Sequence, residues 1–361
     1  MKEIFRKNNF DLIRLFAALQ VVIHHLISHL EIKETPELLL SILSYFPGVP
    51  IFFFISGFLI SKSYENNSVI TEYIKNRILR IYPALIVCLF LTLFSIYIVG
   101  YFDNKSFSGL EFIAWVFGQM TFVQFYNPDF MRDFGTGVMN GSLWTISVEL
   151  QFYIIMPILY GLFSLVNGKN SNRNLFFLII IFLLFHIIKF LYQHEYADHL
   201  LYKLFSLSFL PWIWMFLVGI IFQKNFIFFY HLLSGKIFYI LLLYLLIAYS
   251  FTNYLGFNVW DEKIGMNPFL FLFLVAVIFS FAYSFIGLSN MLLRKNDISY
   301  GVYIYHIPII NLLIYYGYFG GVSVFIAFIT TLLFALMSWF FVERNSMKLK
   351  KYSLNSISIA K

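Results

Sequence analysis

Ten stretches of mostly apolar residues recur along the chain, near 11–30, 46–63, 83–100, 143–165, 175–192, 205–223, 237–255, 267–287, 299–317 and 321–342. Each is long enough to cross the hydrocarbon of a bilayer, which takes roughly 17 to 25 residues of helix. A backbone N–H or C=O in hydrocarbon finds no water, so segments of this length must close their own hydrogen bonds as α-helices. The sequence therefore predicts an all-α, polytopic membrane helix bundle of about ten transmembrane helices. With 60% hydrophobic and 12% charged residues, the chain lies far from soluble domains, in which about a quarter of residues are charged.

Charge sets the expected topology. An eleventh apolar run, 111–126, ends in Asn127-Pro128-Asp129 and is short for a span. If it does not cross, an inside N-terminus puts 19 of the 25 basic residues on the cytoplasmic side, among them Lys62, Lys75, Arg173, Lys224, Lys236, Arg294, Arg344, Lys348, Lys169 and Lys361. Only Lys33, Lys105, Arg132, Lys203 and Lys263 then fall outside, against eleven acids, as the positive-inside rule requires. If it did cross, eleven of those cations would move outside. The run is thus expected to be re-entrant or interfacial, with both termini cytoplasmic. This distribution also accounts for the net charge of +7 without nucleic acid. The first apolar run carries Arg14 and two histidines and lacks a small-residue cleavage pattern, so it reads as a retained helix rather than a signal peptide. No linker or repeat divides residues 1–345, which are expected to be one transmembrane domain, followed by a short basic and polar cytoplasmic tail, 346–361. Cys88, the one cysteine, reads as a small core hydrophobe.

Ionisable groups inside spans are costly and mark sites or pathways. Arg14 and His25 are eleven residues apart, which returns to within about 20° of one helix face about 16 Å further along. Arg77 and Arg80, at i and i+3 before Ile81-Tyr82-Pro83, share a helix side and can grip one phosphorylated ligand; their alternative role is that of topology anchors. Glu149 lies six residues into its span, at a depth comparable with His25, each within about 10 Å of the outer boundary. A histidine is the usual general base, and a carboxylate beside it can fix its tautomer; the alternative is a structural buried pair. His25 and His29 have an i, i+4 metal-ligand spacing, but no second ligand cluster accompanies them, so no metal is expected. Ser299 and His306 fall within about 20° of one face, where packing through small residues is the plainer explanation. Ser147 is a candidate nucleophile that nothing else in the sequence singles out.

Taken together, five blocks resemble, in order, the signature of the membrane-bound acyltransferase-3 family. They are Asp11-Leu-Ile-Arg14 with Ala17-Ala18 and His25, Phe53 to Ile60, Arg77 to Pro83, Ser142 to Tyr153, and Ser299-Tyr300 through His306. The stretch from about 165 to 295 matches only as generic hydrophobic helices. The resemblance implies a bacterial inner-membrane enzyme that takes an acyl group, commonly acetyl, from cytoplasmic acyl-CoA and places it on a hydroxyl of a cell-surface or exported carbohydrate. O-antigen, peptidoglycan, capsule and other exopolysaccharides are candidate acceptors. It carries His25 and Glu149 over as catalytic residues, and Arg14, Arg77 and Arg80 as acyl-CoA contacts. Asp11, His24, Ser147, Ser299 and His306 are supporting candidates. Acetyl-CoA is expected as co-substrate, with no permanently bound cofactor, and no fused esterase-like domain is found in this sequence. The alternative from another class is a transporter of a glycan or lipid-linked sugar whose Arg, His and Glu line a path, although the paired broken repeats common in transporters are not visible.

Overall fold

The computed structural model describes residues 2–32, 34–166, 168, 170–261 and 265–351. Lys33, Lys169, Lys263 and Lys361 from the topology count, and the end of the tail from residue 352, lie outside the described residues. A helix occupies each of the ten expected stretches: Phe10–His29, Gly48–Asn66, Ile70–Ile98, Trp144–Leu162, Ser171–Tyr196, Ile213–Lys224, Ile237–Asn253, Pro268–Ser284, Ser299–Tyr315 and Gly321–Ser338. Six helical segments are long and apolar enough to cross a membrane, and the pair Ile213–Lys224 and Phe226–Leu233, bent by 88°, makes a seventh if counted as one span. Ile237–Asn253, Pro268–Ser284 and Ser299–Tyr315 have 17 residues each, about 26 Å of helix. The chain is an all-α, multi-pass membrane protein. The strand pairing among the described residues is one antiparallel ribbon, Trp260–Asp261 with Gly265–Met266. The run near 111–126 forms the helix Gly109–Gln119, whose 11 residues rise about 16 Å and stop well short of a hydrocarbon core of about 30 Å.

The chain forms two compact units, each assembled from three separate stretches of sequence. The first comprises Met1–Val21, Pro36–Glu65 and Ile158–Asp297; the second comprises Val22–Thr35, Asn66–Pro157 and Ile298–Lys361. In the first unit two glycines set the packing. A Cβ on Gly57 would meet Phe216 O at 2.0 Å, and one on Gly219 would meet Phe54 O at 2.3 Å. Helices Gly48–Asn66 and Ile213–Lys224 therefore approach backbone to backbone, as small residues allow in membranes. Around this contact Phe54, Phe58, Phe222, Phe226, Phe279 and Tyr283 pack edge to face, a geometry favoured by ring quadrupoles. Fully buried Asn9 closes the chain entry: Nδ2 donates to Phe285 O at 2.7 Å and Oδ1 accepts from Ser289 N at 2.9 Å.

In the second unit, helix Gly109–Gln119 and the loop 129–139 cover the end of helix Ile70–Ile98. Leu89, Ile96, Tyr101, Trp115, Phe130, Met131, Phe134 and Met139 form that core. At its rim Lys105 donates to Asp133, which holds the lysine ammonium above its ordinary range. Helix Ser299–Tyr315 packs on Gly321–Ser338 through Gly301, where a Cβ would lie 2.9 Å from Ala335 Cα.

Prolines lie inside three helices, at Pro83, Pro157 and Pro308, and each leaves a carbonyl without its helical donor, because proline at i removes the N–H that would serve residue i−4; two of these carbonyls are met from other elements. Pro157 frees Tyr153 O, and the Tyr73 hydroxyl donates to it at 3.1 Å. Pro308 frees Ile304 O, and it accepts from Asn140 Nδ2 at 2.8 Å and Cys88 Sγ at 3.4 Å. A double-mutant cycle tests this account. Tyr73→Phe is expected to lower stability by about 1–2 kcal/mol, the cost of an orphaned buried carbonyl. On a Pro157→Ala background, where the helical N–H is restored, the same change is expected to cost little. Thermal unfolding in detergent reads both steps, and equal costs on the two backgrounds would refute the pairing.

Candidate functional site

Helix Phe10–His29 carries both residues of the arginine-to-histidine spacing, with Arg14 in the first unit and His25 in the second. Within its unit Arg14 faces two carboxylates, Asp297 at 3.7 Å and Asp11 at 4.0 Å. Its side chain is 19% exposed and that of Asp297 9%, so the pair is largely withdrawn from water.

The second unit gathers most of the remaining candidates. His25 Nδ1 lies 2.8 Å from His306 Nε2, the two rings stacked with centroids 5.1 Å apart. His306 is fully buried, and its Nδ1 lies 2.6 Å from Tyr303 O. The Tyr303 hydroxyl meets Thr145 Oγ1 at 2.7 Å. One helical turn on from Thr145 is Glu149, at the i+4 position that shares a face, and its carboxylate accepts from the Tyr153 hydroxyl. The Arg77 guanidinium rests over the Tyr153 ring at 5.6 Å and over Tyr73 at 5.9 Å, close enough for cation–π attraction. Four sequence-predicted residues, His25, His306, Glu149 and Arg77, thus stand on two runs of polar contacts within a single unit, Arg77–Tyr153–Glu149 and Thr145–Tyr303–His306–His25, whose members Thr145 and Glu149 lie one turn apart on the same helix. Arg77 Nε is buried without a hydrogen-bond partner among the described residues. Arg80 NH1 reaches Met347 Sδ at 3.5 Å.

The other candidates have separate surroundings. Ser147 is fully buried and donates to Gln124 Oε1 at 3.2 Å. Ser299 is buried near the start of its helix. His24 and His29 pack against His25 with ring centroids at 6.0 and 5.5 Å. Among the described residues no group of three or more His, Cys, Asp or Glu is arranged to hold a metal ion.

A protein-family profile described as an acyltransferase domain matches residues 7–342. The chain belongs to this acyltransferase family. Nodulation protein 10 of Rhizobium leguminosarum bv. viciae is 29% identical over 354 residues, covering 95% of this chain and 94% of that protein. An O-acetyl transferase of Shigella phage Sf6 is 33% identical over 167 residues, 45% of this chain and 48% of the phage protein. The O-acetyltransferase OatA of Staphylococcus aureus is 26% identical over 161 residues, 41% of this chain and 24% of the relative. No solved structure matches.

Sequence reasoning about this acyltransferase missed three partners. Asp297 follows Arg294 and Lys295 and reads as part of a basic loop, and nothing local signals that it meets Arg14. Tyr73 looks like an ordinary residue of a polar, charged stretch and Tyr153 like one of an apolar stretch. Tyr153 was nevertheless legible as a neighbour of Glu149 from its i+4 spacing, and the carbonyl freed by Pro157 called for a donor of the Tyr73 kind.

The Arg14 and Asp297 pair generates a stability prediction. Asp297→Asn leaves a mostly buried guanidinium with Asp11 as its other carboxylate, and is expected to cost about 1–3 kcal/mol, less than the roughly 3–5 kcal/mol of a buried pair broken outright. Adding Arg14→Gln is expected to recover part of that loss. The check is the unfolding midpoint of the three variants in one detergent; a fully additive double variant would contradict the pairing.

Proposed function

We propose that this acyltransferase is an O-acetyltransferase of the bacterial inner membrane, which moves an acetyl group from cytoplasmic acetyl-CoA to a hydroxyl of a cell-surface or exported carbohydrate. The observation that carries this reading is the polar ladder within one unit made of two runs, Arg77–Tyr153–Glu149 and Thr145–Tyr303–His306–His25, set one turn apart on helix Trp144–Leu162. It joins a cation suited to phosphate with an imidazole suited to taking a proton, inside an acyltransferase-family chain. The relatives named O-acetyltransferases support acetyl as the group and oxygen as its destination. The crowding of basic residues on one set of loops supports about ten crossings with both termini cytoplasmic.

In this proposal Arg77 and Arg80 hold the phosphates of the donor. The Arg77 Nε–H has no hydrogen-bond partner among the described residues, and its guanidinium plane is already held by two tyrosine rings. A planar fork pre-oriented in this way suits phosphate better than a flexible ammonium. Glu149 enters through Tyr153: the carboxylate accepts the phenol and so holds the ring on which Arg77 rests. His25 takes the proton of the acceptor hydroxyl as the oxygen attacks the thioester carbonyl. The carbon–sulfur bond breaks, an ester forms, and the thiolate of CoA leaves with the proton that His25 releases. A general base of this kind contributes about 10²–10⁴-fold to rate.

The test is to supply acetyl-CoA with a radiolabelled acetyl group to membrane vesicles bearing the protein and to follow label into carbohydrate. Label is expected with the native protein, and a loss of about 10²-fold or more with His25→Ala. Arg77→Lys is expected to raise KM for acetyl-CoA with a smaller effect on kcat. A normally inserted His25→Ala protein that labels carbohydrate at the native rate would remove His25 from the reaction. Carbohydrate that never acquires label would remove the acceptor class.

A further inference from the structure

The proposed function leaves open which nitrogen of His25 takes the proton and what keeps that nitrogen unprotonated. The contacts of His306 answer both, and we infer that His306 is the positioning residue that holds His25 in the Nδ1–H tautomer, so that Nε2 is the basic atom. The inference rests on the reading of His25 as general base.

The proton positions follow from one end of the ladder to the other. A backbone carbonyl only accepts, so the 2.6 Å contact between His306 Nδ1 and Tyr303 O puts a hydrogen on His306 Nδ1. In a neutral imidazole the other nitrogen then carries the lone pair, so His306 Nε2 is an acceptor. Charging this fully buried ring would be costly. The 2.8 Å contact between His306 Nε2 and His25 Nδ1 must then take its hydrogen from His25. His25 is left with its lone pair on Nε2, which has no hydrogen-bond partner among the described residues. His25 is only half-buried whereas His306 is fully buried, so the ring that can reach an acceptor is the one with the basic nitrogen. His306 does for it what a carboxylate or carbonyl does for other catalytic histidines, fixing the tautomer through the second nitrogen.

The Tyr303 carbonyl that starts this order is itself held. Ser142 Oγ lies 3.3 Å from it and donates its one hydrogen to Asn140 Oδ1 at 2.7 Å, while Asn140 Nδ2 reaches Ile304 O, the carbonyl freed by Pro308. The orientation of His306 is therefore tied to its backbone and not to a mobile side chain. When His25 gains a proton at Nε2, its Nδ1–H still donates to His306, so the imidazolium is stabilised without any proton passing to His306.

Full-length protein, selectively labelled with ¹⁵N-histidine and reconstituted in lipid, tests this by two routes. The His25 signals, assigned by their loss in His25→Ala, are expected to show a protonated Nδ1 and a bare Nε2. In His306→Phe, which keeps a ring and removes the acceptor, that preference is expected to be lost, and kcat to fall by about 10²-fold, the lower part of the range for general-base catalysis, with KM for acetyl-CoA unchanged. His306→Gln, whose amide offers an acceptor near the Nε2 position, is expected to regain most of the kcat and the tautomer. Finding native His25 protonated on Nε2 overturns the inference. So does a His306→Phe protein that keeps its kcat while His25→Ala has lost it, and in that case the base reading stands. A His25→Ala protein with the native rate overturns both together.

Discussion

Every buried carbonyl inside hydrocarbon has to be met by a donor from the protein, and in this chain two prolines turn that constraint into tertiary structure. Pro157 releases Tyr153 O and Pro308 releases Ile304 O. The donors that answer them, Tyr73 and Asn140, come from elements distant in sequence. Tyr73 thereby ties helix Ile70–Ile98 to helix Trp144–Leu162, and the same ring lies beneath Arg77. Asn140 ties the loop before Trp144 to helix Ser299–Tyr315 beside Tyr303, whose carbonyl orients His306. An unmet buried carbonyl costs about 1–2 kcal/mol, so both ties stabilise the fold, and the candidate site is built on both of them.

Both ends of the polar ladder owe their chemistry to this arrangement. Arg77 is a cation placed on aromatic faces, its Nε–H without a partner among the described residues. His25 is an imidazole whose second nitrogen is committed to another imidazole. Between them, Glu149 accepts from Tyr153 and Thr145 meets the Tyr303 hydroxyl, one helical turn apart near the start of helix Trp144–Leu162. The ladder lies within one compact unit, whereas Arg14 meets Asp297 and Asp11 in the other. The eleven-residue spacing of Arg14 and His25 thus joins two differently constructed environments on one helix.

Much of the fold was legible because hydrocarbon imposes length and apolarity on each span, and helices stand at all ten expected stretches. The short helix Gly109–Gln119 was legible for the same reason: its apolar run is too brief to cross. The division into two units was not, because each draws on three sequence segments and no linker composition marks their borders. Candidate residues were legible as well, since Arg, His and Glu inside spans stand out against apolar neighbours. Their partners were less so. Glu149 and Tyr153 share a helix, so their contact follows from spacing. His25 and His306 are 281 residues apart, and no periodicity relates them.

The sequence by itself determined that this chain is a helical membrane protein, which residues in its spans are costly enough to need a purpose, and to which acyltransferase family it belongs. These are properties of composition, period and order along the chain. The tertiary structure decided the pairing of those residues, because hydrogen bonds between helices depend on which faces meet. It gave His25 an imidazole partner, Arg77 two tyrosine rings and Arg14 a carboxylate from the far end of its unit. It also decided the proton order along the ladder, since only the contact of His306 with a backbone carbonyl determines which nitrogen carries the hydrogen.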